Sequence, residues 1–351
     1  MRIIREKIQS FYAPHLKRRI KSIFLIVLLL FFAVIALREL SSTPRFEEII
    51  DKSIGSDQIL LASDGEALQV SRTDFQRRRL NWFPLAKMSI ELKKAVVEAE
   101  DRRFFSHWGV DIFSMARAAW AWLKGYSVQG ASTITMQLTD LIQEEVLIQN
   151  KRIHKGSWWH KLQQLLRTPL IELGWQKDQI LEAYLNLIHL RGEYQGMPAA
   201  SYAFFNKHPI AIGRNEAVVL ASLISAPNQS IAQLRRRSCL LLTKINQEEF
   251  GPSKKTTCQD NDTAIQLIQG KARGSFPWPA QAPHLARRLF GDFPQNSIVP
   301  SYLNRRIQSA VSSILNKNIS LLQKKNVRDS AAIVIENATG RVLAYVGSVS
   351  L

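Results

Sequence analysis

Glu98-Ala99-Glu100-Asp101-Arg102-Arg103-Phe104-Phe105-Ser106-His107-Trp108-Gly109 closes a helical pattern and sets the chemistry that the rest of the chain has to explain. Ile90, Ala95, Val96 and Ala99 are spaced so that they share one helix face, and Glu100 and Asp101 arrive at the end of a packed element. A carboxylate placed there stands against an apolar wall. Partial burial raises a carboxyl pKa and a nearby cation lowers it, and the balance poises a base. From this stretch alone a second reading comes first, because an acidic pair beside Arg102 and Arg103 is usually only a solvated, salt-bridged helix end.

Working outward, i, i+3, i+4 apolar spacing predicts helices over 88–104, 111–124, 132–149, 160–174, 178–190 and 214–225. Pro169 is expected to kink or interrupt the fourth, Asp178 to cap the fifth, and Ala226-Pro227-Asn228 to end the sixth. Upstream, 58–70 reads as a hairpin about Ser63-Asp64-Gly65-Glu66, preceded by a polar, irregular stalk over 39–58. Downstream, the pattern dissolves from Leu234 to about Gly291, so 231–300 is read as a linker. A helix over 302–322 and a strand, turn, strand about Asn337-Ala338-Thr339-Gly340 follow, within a last unit spanning 301–351. The fold class expected is mainly α, with the principal domain over 59–230.

The chain has 351 residues, 46% of them hydrophobic, which is ample for a core. Its formal charge of +18 is compatible with nucleic acid, an anionic membrane surface or an anionic substrate. No zinc-type cysteine spacing, RNP-like aromatic run or basic-region heptad is present, which argues against a nucleic-acid module. Cys239 and Cys258 are the only cysteines. They are either two free thiols or a disulfide closing a loop worth about 3 kcal/mol.

Residues 1–21 are basic, and Ile23 to Leu37 is an uncharged run of Leu, Ile, Val, Phe and Ala. With Ser22 and the stems of Lys21 and Arg38 it extends toward the roughly 20 residues a spanning helix needs. The expectation is a signal anchor over 22–38, with everything beyond it extracytoplasmic by the positive-inside rule. A cleaved signal peptide ending near Val34-Ile35-Ala36 is the alternative.

Further stretches carry chemistry. Gly130-Ala131-Ser132-Thr133-Ile134-Thr135-Met136-Gln137 puts small and hydroxyl residues at a helix start, where free N–H groups attract an anion, although plain Ser/Thr capping reads the same way. Then come Lys161-Leu162-Gln163-Gln164, Lys177-Asp178-Gln179-Ile180-Leu181-Glu182-Ala183-Tyr184-Leu185-Asn186, and Arg191-Gly192-Glu193-Tyr194-Gln195-Gly196, followed by Ala199, Ala200, Phe204, Phe205 and Lys207.

Five motifs in this order resemble the peptidoglycan glycosyltransferase domain (glycosyltransferase family 51) of class A penicillin-binding proteins, over roughly Leu60 to Asn228. Met136 before Gln137, and Gln164, are most similar to the 1C type. The resemblance implies a lysozyme-like, mainly helical fold that polymerises lipid II at the outer face of the inner membrane, inverting the anomeric centre and releasing undecaprenyl diphosphate. It implies Glu100 as general base and gives Gln164 the other catalytic position. Asp101, Phe104, His107, Gly130, Ser132, Thr133, Thr135, Gln137, Lys161, Asn186, Arg191, Gly192 and Gly196 would bind substrate or shape the cleft. His107 reads equally as a loop hydrogen-bonder and Asn186 as architectural. Implied partners are lipid II, the lipid-linked glycan strand, the membrane and other cell-wall synthesis enzymes. No cofactor is required, and a divalent cation, magnesium, is an option for the leaving diphosphate.

Two positions depart from the family pattern. Relatives carry Glu where this chain has Gln164, and an amide neither transfers a proton nor serves as a charged metal ligand. Relatives place Lys or Arg where this chain has Asp140, and a carboxylate repels a diphosphate. Neither Ser-x-x-Lys, Ser-x-Asn nor Lys-Thr/Ser-Gly of a transpeptidase occurs in these residues. Residues 301–351 therefore read as the truncated start of such a domain, an orphan hairpin without transpeptidase activity. The alternative to an active enzyme is a catalytically inactive, membrane-anchored scaffold that binds lipid II.

Overall fold

The computed structural model describes residues 43–125, 132–147, 158–251, 257–270, 279–294 and 297–347. The basic tail, the expected membrane span over 22–38 and Gly130 lie outside them. Among the described residues no helix is long and apolar enough to cross a membrane.

In chain order the elements are α1 (Phe46–Lys52), β1 (Asp57–Leu61), β2 (Ala67–Arg72), α2 (Ile90–Glu100), α3 (Ile112–Leu123), α4 (Ile134–Leu147), α5 (Trp158–Gly174), α6 (Lys177–Leu187), α7 (Met197–Ala200), α8 (Arg214–Ile224), α9 (Ile231–Phe250), α10 (Asp262–Gly270), α11 (Pro283–Phe290), β3 (Ile298–Pro300), α12 (Arg305–Leu322), β4 (Ala332–Ile335) and β5 (Val342–Val346). The fold is mainly helical. Helix α6 is buried all round from Ile180 to Leu187, apart from a partly exposed Glu182, and α8 is buried from Ala217 to Ile224. A helix apolar on every side belongs at the centre of a bundle. Around these two, α2 lies against α8, α8 against α9, and α4 against both α5 and α6.

Several expectations need correction. The stalk holds α1, whose Ile49 is fully buried, with Phe46 edge-on to Trp82 and Trp175 at ring distances of 5.9 and 5.3 Å. Glu47 and Glu48 in its first turn and Lys52 in its last match the helix dipole, so a polar composition conceals a helix docked by few apolar side chains.

The expected linker is the larger miss. It contains α9, 20 residues long, started by Ser230, whose hydroxyl accepts from Gln233 N at 3.3 Å. Leu234, Ser238, Leu241, Leu242 and Ile245 form its buried face, and Ala264, Ile265 and Ile268 of α10 join the same core. The period was present in the sequence, but the run Arg235-Arg236-Arg237, its first two members exposed, diluted it. Cys239 of α9 and Cys258 are bridged, with Cα atoms 5.0 Å apart.

Smaller differences have local causes. Asp178 stands in the first turn of α6, whose start is set by Gln176, its N–H donating to Gln179 Oε1 at 2.8 Å. Helix α5 runs through Pro169, where Thr168 Oγ1 adds a bond to the Gln164 carbonyl at 2.7 Å. The last hairpin stands as a two-stranded sheet by itself, as expected, but it is docked: the buried amide of Gln308 on α12 donates to Gln281 O and Tyr345 O and accepts from Tyr345 N, at 2.8, 3.0 and 2.8 Å.

The first hairpin forms as expected, and β3 adds to it in parallel, opposing Ile59 with Ile298, to give the order β2-β1-β3. The basic triplet after it is consumed internally: Arg79 forks onto Glu145 of α4 with two 2.9 Å bonds. Part of the formal +18 therefore contributes no open cationic surface.

Two stability outcomes follow from these contacts. Gly196 has φ 86° and ψ 145°, and a Cβ there would lie 2.6 Å from the Asn186 carbonyl oxygen, whereas Gly192, at φ 72°, has open space. Gly192→Ala should cost about 1–2 kcal/mol in a denaturant titration, and Gly196→Ala distinctly more, because strain and overlap add. Reduction of the disulfide, or replacement of both cysteines by serine, should lower stability by about 3 kcal/mol in the same titration.

Candidate active site

Helix α2 is capped at its start by Ser89, whose hydroxyl accepts from Leu92 N at 3.1 Å, and its last residue is Glu100. The next carboxylate, Asp101, turns inward. It takes His107 Nε2 at 2.9 and 3.1 Å and accepts from Ile134 N at 3.1 Å, joining the end of α2, the loop after it and the start of α4. Thr133 completes that start: its hydroxyl donates to Gly109 O at 2.5 Å and accepts from Met136 N at 3.1 Å. The anion-site residues of the second motif are thus set beside Glu100 by ordinary capping chemistry.

Glu100 is half-buried, and its Oε2 accepts from Gln137 Nε2 at 2.8 Å. The hydroxyl of fully buried Tyr184 donates to Gln137 Oε1 at 2.8 Å. Tyr184 therefore fixes which end of the amide faces the carboxylate. Burial pushes the Tyr184 pKa well above the ordinary phenol value, with Glu100 and Asp101 adding to it, so the hydroxyl keeps its proton. For Glu100, burial is the largest influence and raises the pKa; the Gln137 bond and the charge of Arg237 pull it down, and Asp101 pushes it up. The net displacement is upward, the direction that suits a base working near neutral pH.

Beside Glu100 opens a cleft of about 590 Å³, lined by Glu98, Glu100, Asp101, Arg103, Arg117, Ser132, Thr133 and Lys244 among others. Arg103 is committed to Asp111 at 2.5 Å. Lys161 Nζ donates to Ser132 Oγ at 3.1 Å and to Gln164 Oε1 at 2.7 Å. Desolvation lowers the Lys161 pKa and the Asp140 charge opposes that shift.

The departures at 140 and 164 prove to be one feature. Gln164 Nε2 donates to Met136 O at 2.6 Å and to Asp140 Oδ2 at 3.0 Å. A glutamate at 164 would face the Asp140 carboxylate at that distance, whereas the amide supplies it with a donor. Among the described residues, the side chains about the cleft do not fit a protein-held divalent ion. Asp101 and Asp140 are spent on internal partners, and among the described residues no group of three or more His, Cys, Asp or Glu side chains could hold one.

The remaining expected site residues fall in two groups. Ser132 lines the cleft with Glu100, and Gln137 holds the Glu100 carboxylate. Phe104 is fully buried in the core beneath the Lys177 ammonium, 4.5 Å from its ring centre. Thr135 is buried, with Oγ1 donating to Glu172 at 2.6 Å. Asn186 bonds the backbone of Phe83 both ways at 2.9 Å, so it holds the connection before α2. Arg191 is half-buried, its Nη1 without a hydrogen-bond partner among the described residues, and Gly192 is exposed beside it. Sequence reasoning placed Tyr184 in a motif without giving it a role, and missed Arg117, Arg237 and Lys244. The last two sit on α9, and its leucine period was the signal that would have found them.

Comparison with known proteins agrees with this geometry. The family model described as Transglycosylase matches residues 65–246, just over half of the chain. A biosynthetic peptidoglycan transglycosylase of Thiobacillus denitrificans (strain ATCC 25259 / T1) is 34% identical over 171 residues, 47% of this chain and 70% of the relative. Penicillin-binding protein 2D of Bacillus subtilis (strain 168) is 28% identical over 90% of this chain and 45% of its own length, and penicillin-binding protein 1C of Escherichia coli (strain K12) is 29% identical over 74% and 32%. The chain thus spans less than half the length of these two penicillin-binding proteins. It belongs to the transglycosylase family, and the domain it carries is that of a peptidoglycan glycosyltransferase.

The coupling of 140 and 164 has a direct check. Gln164→Glu alone should destabilise the protein by about 1–3 kcal/mol, and adding Asp140→Lys should recover much of that loss. A double-mutant cycle by thermal unfolding measures the difference.

Proposed function

We propose that this chain polymerises lipid II into glycan strands at the outer face of the inner membrane, with its catalytic domain in the periplasm and Glu100 as general base. The observation that carries the reading is a half-buried carboxylate, oriented through Gln137 by a tyrosine that keeps its proton, beside a cleft where Arg102, Arg103, Arg117, Lys244 and the hydroxyls at 132 and 133 accompany the carboxylates of Glu98, Asp101 and Asp111. Glu100 removes the proton of the acceptor sugar's 4-hydroxyl as that oxygen attacks the anomeric carbon from the face opposite the leaving diphosphate, and the configuration inverts. Ser132, Lys161 and Arg117 are the groups available to stabilise the charge that builds on undecaprenyl diphosphate.

A surface beside the cleft supports the membrane placement. Phe105, Trp108, Ile112, Phe113, Trp120 and Leu123 are all exposed, Trp108 by 73% and Phe113 by 77%, with Arg102, Arg117 and Lys124 among them. Aromatic side chains mixed with cations suit the boundary between an acyl layer and anionic headgroups.

A second reading, a lipid II-binding scaffold without turnover, is favoured by Asp140, which brings a carboxylate close to Lys161. Polymerisation of labelled lipid II by the purified full chain separates the two. Turnover that Glu100→Gln cuts by about 10²–10⁴-fold supports the enzyme; binding without product supports the scaffold. Because the Glu100 pKa is raised, the free base should be lost as pH falls through that raised value, and kcat/KM should decline on the acid side from a higher pH than an ordinary carboxylate gives. A pH profile of initial rates measures this.

A further inference from the structure

One wall of the cleft comes from outside the five motifs. Helix α9, read from sequence as linker, lies against α2 and carries Lys244 into the cleft lining, beside Glu98 and Glu100 of α2 and Ser132 and Thr133 at the start of α4. Ion pairs join α9 to α2 and the turn after it: Glu249 to Lys94 at 3.8 Å, Glu248 to Arg102 at 2.9 Å, and Lys244 to Glu98. In the last of these both partners line the cleft. Their burial is unequal. The Glu98 side chain is 10% exposed, with Oε1 closed to solvent, whereas the Lys244 side chain is 44% exposed. The carboxylate is therefore set into the wall and the ammonium stands open in front of it. An ammonium has three N–H donors, and Glu98 is its ion-pair partner among the described residues, so donors remain for a group that enters the cleft.

We propose that Lys244 is a specificity-determining residue: its ammonium receives a carboxylate of the peptide that the lipid-linked saccharide carries, with Glu98 behind it fixing its direction and tempering its charge. The substrate offers two kinds of oxyanion, phosphate and carboxylate. Ser132, Lys161 and Arg117 are already available for the diphosphate, which leaves Lys244, on the α9 wall, for the carboxylate. The other cations of the lining are more fully engaged. Arg103 uses both sides of its guanidinium, forking onto Asp111 at 3.1 and 2.5 Å with the Phe113 ring centre 5.0 Å away, and Arg102 reaches Glu248. Docking of α9 does not need the Lys244 pair, because Leu234, Leu241, Leu242 and Ile245 seat that helix in the core and a half-exposed ion pair adds little to stability. A charge-assisted bond to an entering carboxylate, made in a partly desolvated cleft, is stronger.

This inference rests on lipid II being the substrate, and the experiment separates the two. Lys244→Ala, Glu98→Gln and the double variant, as full chains in detergent micelles, are first checked by thermal unfolding. KM and kcat are read from lipid II polymerisation, and Kd from fluorescent lipid II bound to the same variants in a Glu100→Gln background, which needs no turnover. Lys244→Ala should raise KM and Kd about tenfold, with kcat little changed. Glu98→Gln should lower both, because the ammonium is then unopposed. The double variant should bind as weakly as Lys244→Ala, and it carries the test even where Lys244→Ala alone is destabilised by the unpaired Glu98. Recovery of normal binding in it would show that Lys244 only neutralises Glu98, which overturns the proposal. With lipid II whose peptide carboxylates are amidated, the unmodified chain and Lys244→Ala should bind alike; a difference that survives amidation places the ammonium on the diphosphate and overturns it as well. Lys244-dependent binding without turnover keeps this proposal and removes the polymerase, whereas turnover with KM and Kd indifferent to Lys244 does the reverse.

Discussion

One carboxylate, that of Asp101, holds the site together. It receives a ring nitrogen from the loop at His107 and a backbone N–H from the start of α4, and it follows directly on Glu100. A buried anion in a polypeptide is tolerable only when it is paired and hydrogen-bonded. Here the pairing consumes the free end of one helix and organises the loop after another. The position of Glu100, the proposed base, relative to the hydroxyls at 132 and 133 is thus a by-product of satisfying its neighbour, and the acidic pair divides its work between architecture and the proposed chemistry.

The same division runs through the polar interior. Tyr184 and Gln137 form a short relay whose direction is set by proton ownership: a phenol that does not ionise at working pH gives its hydrogen bond one way, and the amide passes it on. Asn186 and Thr135 lie in motifs of the same kind but point into backbone and into Glu172. A motif collects every residue a cleft needs, including those that hold its walls.

The catalytic stretch, the helical core around it and both hairpins were legible because their signals are local: period, capping hydroxyls, Gly turns and ordered motifs. What escaped depended on distance in the sequence. Asp140 and Gln164 look like two independent losses until the 3.0 Å bond between them is seen. Helix α9 was hidden by three consecutive arginines, although Leu234, Leu241, Leu242 and Ile245 kept its period. Helix α1 was hidden because seven mostly polar residues carry too little pattern, and its place is decided by Ile49, Phe46 and the Trp175 indole, which donates to Pro44 O at 3.1 Å.

The parallel pairing of β1 with β3 has a mechanical consequence. The helices of the core are strung between two strands that lie side by side, Ile59 opposite Ile298 and Leu61 opposite Pro300. Tension drawn along the polypeptide from before β1 to after β3 loads those strands before it reaches α2. The helices between them form a closed loop that such a pull bypasses. The distance between Glu100 and the hydroxyls at 132 and 133 is thereby kept independent of strain in the backbone on either side.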